Sequence, residues 1–160
     1  MASDFFIKIG AIKGESQDDK HKDEIEVLSW NWGLSQLGSI GTGGGGGMGK
    51  VSFSDLTFSH HVDKATPNLM KACATGEHIK EAKMTVRKSG KTPQEFMLIT
   101  MSDVFITRVE PSVQSGEAGI SEIVSMRFGK VDLEYKPQKA DGSLDAGIHF
   151  KYNIKLNKEG

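Results

Sequence analysis

The sequence pattern most suggestive of chemistry is a glycine-rich segment that ends in lysine. Residues 44–50 fit the G-x-x-x-x-G-K part of a nucleotide-binding loop, whose backbone amides and lysine hold phosphate groups. Such a loop also needs Ser or Thr after the lysine and a helix N-terminus beneath the phosphates. Here Lys50 is followed by Val51, which opens a strand-like segment. Because a run of glycines matches several template positions by composition alone, the sequence argues against phosphate binding.

The other reactive side chains have plainer structural explanations. His60 and His61 are neighbours on a predicted strand and point to opposite faces, which prevents a shared metal site and predicts ordinary surface histidines. Cys73 is the single cysteine and lies on the apolar face of a predicted helix, where a buried thiol is inert. The acidic pairs 18–19 and 23–24 stand in a charged loop and are predicted to be solvated. The sequence therefore predicts no catalytic residue, no metal and no cofactor.

Glycine is concentrated in one loop. Eight of the 12 residues from 38 to 49 are glycine, whereas 11 of the other 148 residues are, which is close to the ordinary usage of about 7%. A connection between strands needs about two to five residues, and glycine loses more backbone entropy on ordering than any other residue. Nothing inside one subunit explains so long a loop, so we expect it to contact something outside its own fold.

Length and charge exclude several classes of protein. The 160 residues suit one domain, 1–160, and 37% hydrophobic content suits a globular core. Twenty basic and 21 acidic residues leave a formal charge of −1, which does not favour nucleic acid or an anionic membrane. The first residues lack a basic start followed by a long apolar run, and nowhere do 18 apolar residues follow one another. We expect synthesis in the cytoplasm without a cleaved signal.

The elements that position these residues are predicted to be mainly strands. Most of the chain alternates with period two; the clearest examples are residues 82–87 and 148–156. Residues 96–101 are apolar at nearly every position, which predicts a strand covered on both faces. The alternation changes parity after Val27, between Phe53 and Leu56, and around Gly129, which predicts one extra residue in each strand. Such bulges bend strands and favour closure into a barrel.

One short helix is predicted at about residues 66–75. Thr66 is the expected N-cap, Pro67 the first helical residue and Gly76 the stop. The expected apolar side of the helix consists of Leu69, Met70 and Cys73. The predicted fold is mainly β, a small closed antiparallel β-barrel with one short flanking α-helix.

Five motifs follow one another along the chain in a fixed order. They are Phe6 to Ile9 with Lys13 to Ser16, Ile25 to Gly33, the glycine-rich loop ending in Gly49, Lys50 and Val51, Thr66 to Met70, and Tyr135 to Gly142. Together they resemble the Hcp family, the haemolysin-coregulated proteins that form the inner tube of the bacterial type VI secretion system. The likeness runs from about residue 5 to residue 156.

The resemblance implies a structural protein and no enzyme. It implies a ring-forming subunit that assembles as a homo-hexamer, with rings stacked into a tube. The implied partners are a VgrG-type spike protein, a contractile sheath and small effector proteins carried in the lumen, with no nucleic acid and no membrane insertion. It also implies assembly in the cytoplasm followed by secretion to the medium or a target cell.

Two groups of residues are expected to serve such a tube. In residues 28–32 the large apolar side chains Leu28, Trp30 and Trp32 are expected to enter the barrel, so Ser29 and Asn31 project from the opposite face. If the strand lines the pore, as the resemblance implies, Ser29 and Asn31 face the lumen and its cargo. The residues expected to contact the next ring are Gly41, Gly43, Gly44, Gly45, Gly46, Gly47 and Met48.

Two further expectations concern apolar side chains. Met97, Ile99 and Met101 are expected to lie on the side of their strand away from the core, where a neighbouring subunit could cover them. The alternative function is a stand-alone β-barrel ligand-binding module in which Trp30 and Trp32 line a pocket. That alternative requires a discrete pocket beside the two rings.

Overall fold

The computed structural model describes residues 2–36, 38, 50–113, 115–116 and 119–160. No helix in these residues has the length and apolar character needed to cross a bilayer. The elements are β1 Ser3–Ile9, β2 Ile25–Val27, β3 Ser29–Asn31, β4 Leu34–Ser35, β5 Ser52–Phe53, β6 Leu56–His61, α1 Thr66–Thr75, β7 Ile79–Lys88, β8 Gln94–Ser112, β9 Ser121–Tyr135, β10 Ile148–Asn153 and β11 Lys158–Glu159.

Antiparallel pairing curves the strands into a barrel. Hydrogen-bonded neighbours run from β9 through β8, β7 and β1 to β2. Beyond Leu28 the chain continues from β2 as β3, which pairs with β6, and β6 pairs with β9 again. Tracing the pairs and the continuous chain from β2 to β3 returns to the starting strand, so the strands curve into a barrel whose corners leave some edges unpaired. The predicted mainly β fold of antiparallel strands with one helix is confirmed.

The barrel consists of two sheets that share strands β8 and β9. The hydroxyl sheet contains β3, β6, residues 121–128 of β9 and residues 104–112 of β8. The charged sheet contains β2, β1, β7, residues 94–102 of β8, residues 130–135 of β9, β10 and β11. Both are named for the side chains on their outer sides. Strands that switch sheets at a bend make the corners of such barrels.

Strands β8 and β9 turn together at Gly129. The register between them is unchanged across this point, so β9 has no extra residue there and the predicted bulge is wrong. Instead both strands change their buried face at once. Met101 and Val131 are buried on one side of the bend, whereas Val104 and Phe128 are buried on the other. The parity change noticed in the sequence therefore marks the passage from one sheet to the other.

The extra residues lie in β8 instead. One is at Phe96, where β8 pairs with β7, and the other is at Thr107, where it pairs with β9. The other two parity changes are breaks between strands: Leu28 separates β2 from β3, and residues 54–55 separate β5 from β6. Leu28 was expected inside the barrel, but it is 51% exposed because it lies at this break.

The barrel is filled by the alternating apolar side chains. Ala82, Met84 and Val86 are buried as the period-two pattern predicts. Ile99 and Met101 were expected on the side away from the core, but both are fully buried within it. Full burial of an aliphatic side chain of this size contributes about 1.5–3 kcal/mol to folding. These two residues are therefore unavailable for contact with a neighbouring subunit.

Helix α1 covers the barrel beside β8. Its N-cap is Ala65, whose backbone N–H donates to Asp63 Oδ1 at 2.8 Å, so the predicted Thr66 cap is wrong. Gly76 ends the helix with a φ of 64°, in the left-handed region that favours glycine. Met70 was expected on the apolar side but is 40% exposed. The side chains that contact the core are Leu69, Ala72 and the half-buried Cys73.

The 14–24 segment is held against the charged sheet. The Phe6 ring lies between the His21 ring, at 4.5 Å, and the Arg87 guanidinium, at 4.7 Å. Arg87 Nη1 also donates to Asp18 Oδ2 at 2.9 Å. Asp18 was expected to be solvated, and this bond makes it the anchor of the segment instead.

The Asp18–Arg87 pair should make the free energy of unfolding depend on pH in the acidic range. Hydrogen bonding to Arg87 lowers the pKa of Asp18 from 3.8 to about 2. Because the folded pKa is the lower one, the stabilisation is present above about pH 4 and is lost as the pH falls towards 2. We expect Asp18→Asn to lower the free energy of unfolding by about 1 kcal/mol at neutral pH.

Urea unfolding from pH 7 to pH 2 measures this effect, with the exposed Asp19→Asn as control. The difference between Asp18→Asn and the unsubstituted protein should stay constant near neutral pH and shrink steeply as the pH falls from about 4 towards 2. A difference that stays constant over the whole range would contradict the assignment.

Candidate functional site

Small polar side chains cover the outer side of the hydroxyl sheet. Period two directs Trp30, Phe58, Val124 and Met126 towards the core, so their neighbours point outwards. Ile123, His61 and Phe105 also lie on this outer side, and Ser125 is only 6% exposed. The small polar residues that point outwards define the hydroxyl face: Ser29, Asn31, Thr57, Ser59, Ser121 and Ser125. None of these six side chains carries a charge.

The hydroxyls of this face bond to one another across the strands. Ser29 Oγ lies 2.6 Å from Ser59 Oγ, and Thr57 Oγ1 lies 2.8 Å from Ser125 Oγ. In each pair one O–H donates to the other oxygen, which leaves one O–H free to donate outwards. The face therefore offers both donors and acceptors to a partner, at positions set by the sheet.

Charges occur only at the margin of this face, and they are paired. Arg108 Nε donates to Glu110 Oε2 at 2.7 Å, and Arg127 Nε donates to Asp55 Oδ1 at 3.1 Å. In the described part of the hydroxyl sheet, each Arg, Lys, Asp or Glu on the outer side has such a partner. The face consequently presents little net charge to anything that contacts it.

The outer side of the charged sheet differs in kind. Its positions are mostly ionic, and His149 illustrates the pattern: Nδ1 lies 2.8 Å from Asp132 Oδ1 and Nε2 lies 3.0 Å from Glu134 Oε2. Other outward residues of this sheet are Lys83, Arg87, Lys130 and Lys151. The two sides of the barrel thus have different chemistry, one neutral and one ionic.

A buried polar cluster supports the hydroxyl sheet from behind. His60 was expected at the surface, but it is 1% exposed, and its Nε2 lies 2.6 Å from Glu122 Oε1. Thr66 Oγ1 donates to the same oxygen at 2.7 Å, which joins helix α1 to the sheet. Asp63 lies 3.9 Å from His60 Nδ1, and burial raises the pKa of this carboxyl group.

Aromatic rings hold the two-stranded stem formed by β4 and β5, the strands that flank the glycine-rich segment. Trp32 stacks on Phe53 with centroids 6.0 Å apart and contacts Phe128 at 5.8 Å. Phe53 in turn contacts Tyr152 at 5.3 Å, and Tyr152 stacks on Phe150 at 6.0 Å. Through these five aromatic residues the stem is attached to the barrel.

The residues predicted as functional fall into two groups. Ser29 and Asn31 are both exposed on the hydroxyl face, next to the hydroxyls of β6. The predicted contacts Gly41, Met48 and 43–47 lie outside the described residues. The sequence reasoning missed Thr57, Ser59, Ser121 and Ser125, although their alternation with buried apolar residues is the signal that could have identified them.

The enzymatic and pocket hypotheses find no support in the geometry. Lys50 leads into strand β5, so the helix that a phosphate-binding loop requires is absent from the described residues after it. A cleft of about 410 Å³ lies beside the stem, but neither Trp30 nor Trp32 lines it. Both tryptophans are half-buried and pack against the core, as predicted. Among the described residues no group of three His, Cys, Asp or Glu could hold a metal ion.

Comparison with known proteins identifies the family. A family model described as "Type VI secretion system effector, Hcp" matches residues 6–135. Protein hcp1 of Pseudomonas aeruginosa is 48% identical over 159 residues, covering 98% of each chain. This chain belongs to the Hcp family. It is therefore a tube and effector protein of the type VI secretion system, and the stand-alone ligand-binding alternative is not favoured.

Solved structures support the Hcp fold over the whole chain. Hcp1 from Salmonella typhimurium is 40% identical and superposes with a TM-score of 0.79, covering 99% of each chain. A type VI secretion system effector from Yersinia pestis is 38% identical with a TM-score of 0.78, covering 94% of this chain and 100% of its own. A further type six secretion system protein reaches a TM-score of 0.92 at 26% identity, covering 99% of this chain and 100% of its own.

The buried cluster makes a prediction about stability. Glu122→Ala leaves the buried side chains of His60 and Thr66 without their shared acceptor, and leaving a buried polar group unsatisfied costs about 1–3 kcal/mol for each group. We expect Ser59→Ala, on the exposed side of the same sheet, to cost less than about 1 kcal/mol. Urea unfolding of the two variants gives the comparison. Equal losses would show that the cluster contributes no more than a surface hydroxyl.

Proposed function

We propose that this Hcp forms closed rings in which the hydroxyl face lines the lumen. The observation that carries the proposal is that the hydroxyl sheet has an unpaired strand edge on each side. Among the described residues β3 pairs only with β6, and residues 105–112 of β8 pair only with β9, because the pairing of β8 with β7 ends at Val104. A sheet with two open edges can continue into the next copy, and a rotation that closes makes a ring.

The strand directions suit such a continuation. The hydroxyl sheet is antiparallel throughout, in the order β3, β6, β9 and β8, so its two edge strands run in opposite directions. A second copy related by rotation about the tube axis therefore brings its β3 antiparallel to β8 of the first. Each subunit contributes four strands, and the alternation is preserved around the ring.

The lengths of the two edges also match. The bulge at Thr107 and the missing N–H of Pro111 limit regular pairing on β8 to residues 108–110. Strand β3 has the same length, residues 29–31. Pairing these two runs keeps the outward residues of β3 on the same face as the outward residues of β8, as a continuous lumen wall requires.

This geometry predicts a specific cross-link between subunits. Antiparallel pairing of the two runs places Ser29 opposite Glu110, with Cα atoms about 4.5–5.5 Å apart, within the range for a disulfide. With the single native cysteine removed by Cys73→Ser, we expect Ser29→Cys with Glu110→Cys to form covalent oligomers on oxidation. Non-reducing electrophoresis of rings sized by light scattering measures this.

The matched control places both cysteines within one subunit. Thr57→Cys with Ser125→Cys joins neighbouring strands β6 and β9, so oxidation should leave the chain monomeric on the gel. Intact rings without any Ser29–Glu110 cross-link would disprove this seam while leaving ring formation itself standing.

The hydroxyl face suits cargo held by many weak contacts. A single neutral hydrogen bond contributes about 0.5–1.5 kcal/mol, so one subunit binds a passenger weakly. A ring repeats the same contact in every copy, and repetition raises the total affinity without a tight pocket. We propose that small effector proteins are retained in the lumen in this way, with Ser29 and Asn31 among the contacts.

Asn31→Gln tests the cargo contact. The longer amide keeps the charge and polarity but projects further from the face, so we expect intact rings with several-fold less co-purifying effector protein. Lys83→Gln on the charged sheet is the control and should leave cargo unchanged. Ring size by light scattering and effector abundance in matched strains are the two measurements. Unchanged cargo with Asn31→Gln would show that residue 31 does not contact it.

We propose the remaining roles by analogy with the Hcp family. We propose that the rings are hexamers that stack into a tube, with the loop residues Gly41, 43–47 and Met48 contacting the next ring. The tube would carry a VgrG-type spike and be driven by a contractile sheath. We propose that the protein has no enzymatic activity and is assembled in the cytoplasm before secretion.

A further inference from the structure

Tyr152 contacts two separate parts of the molecule. Its ring lies 5.3 Å from Phe53 of the stem, at an angle of 40°. Its hydroxyl donates to Asn157 Oδ1 at 2.8 Å, in the turn that leads to the C-terminal strand β11. One side chain therefore joins the base of the glycine-rich segment to the C-terminal turn formed by residues 154–157.

The C-terminal turn is itself fixed to the bend of the barrel. Ile154 N–H donates to the carbonyl oxygen of Gly129 at 2.8 Å. Lys155 Nζ lies 3.4 Å from Asp103 Oδ2, on the strand opposite Gly129. The C-terminal turn, the stem and the bend thus meet at one place. Tyr152 contacts both the turn and the stem.

The turn has a backbone conformation that needs such support. Asn157 has a φ of 53°, in the left-handed region that is unfavourable for residues other than glycine and tolerated best by Asn and Asp. Its side-chain oxygen accepts the Tyr152 hydroxyl, so the same residue supplies the conformation and the bond. Loss of the hydroxyl should therefore loosen the turn.

We propose that Tyr152 is a positioning residue that fixes the stem through its ring and the C-terminal turn through its hydroxyl. Its phenol performs both tasks, whereas phenylalanine would perform only the first. The consequence for ring stacking rests on the proposed function, because the stem carries both ends of the glycine-rich segment. The link itself is a property of the single subunit and can be tested without stacking.

Amide hydrogen exchange, measured separately for each peptide of the protein, distinguishes the contact of the ring with the stem from the contact of the hydroxyl with the C-terminal turn. We expect Tyr152→Ala to speed exchange by about five- to tenfold in both residues 50–54 and residues 154–160. Tyr152→Phe should speed exchange only in residues 154–160, and Asn157→Ala, which removes the acceptor, should reproduce that result. Exchange in the buried strand β7 should not change in any variant.

Tyr135→Ala is the matched control. Tyr135 is the other tyrosine of the chain and lies on the neighbouring strand, 42% exposed, so its removal should affect neither segment. Unchanged exchange in residues 50–54 with Tyr152→Ala would overturn the proposal, as would equal effects of Tyr152→Phe and Tyr152→Ala on that segment. If Tyr152→Ala does not fold, Tyr152→Leu, which keeps apolar volume without the aromatic ring, takes its place.

Comparing hydrogen exchange with ring stacking and secretion in the same variants distinguishes failure of this proposal from failure of the proposed function. Variants that loosen the stem while rings still stack would confirm the link and show that stacking does not need it. Variants that leave exchange unchanged would overturn the link whatever happens to secretion.

Discussion

Strands β8 and β9 must each belong to two sheets, and the rest of the structure depends on this constraint. They bend together at Gly129 without losing register, so the ladder between them is continuous from one sheet to the other. The bend separates a neutral outer side from an ionic one on the same pair of strands. A subunit built this way can present different chemistry to the interior and the exterior of an assembly, because one half of each strand belongs to the hydroxyl sheet and the other half to the charged sheet.

The ionic side is stabilised by contacts that are distant in sequence. Arg87 bonds to Asp18 across 69 residues, and His21 Nε2 lies 2.7 Å from Glu95 Oε1 across 74. These bonds hold the 14–24 segment on the charged sheet, where it covers β1 and β7. The neutral side has no such cover among the described residues, so exposed side chains such as Ser29 and Asn31 are available to a partner.

Local patterns predicted the elements well, and long-range partners explain what they missed. Pro67 and Gly76 delimit the helix because both act through their own backbone. The burial of Ile99 was assigned to the wrong face because residues 96–101 are apolar on both sides, so alternation there contains no directional information. His60 was expected at the surface because its partner, Glu122, is 62 residues away. The outward position of Asn31 was predictable, whereas the hydroxyls beside it require strand pairing.

The bulge at Thr107 has a consequence for the subunit before assembly. An uncovered strand edge can recruit any extended chain, including misfolded copies, and long regular edges are the most hazardous. Thr107 and Pro111 leave only three regular residues between them on this edge. On the proposed seam, an edge of three regular residues is too short to template a fibril but equals the length of β3, which would favour growth of the ring over aggregation.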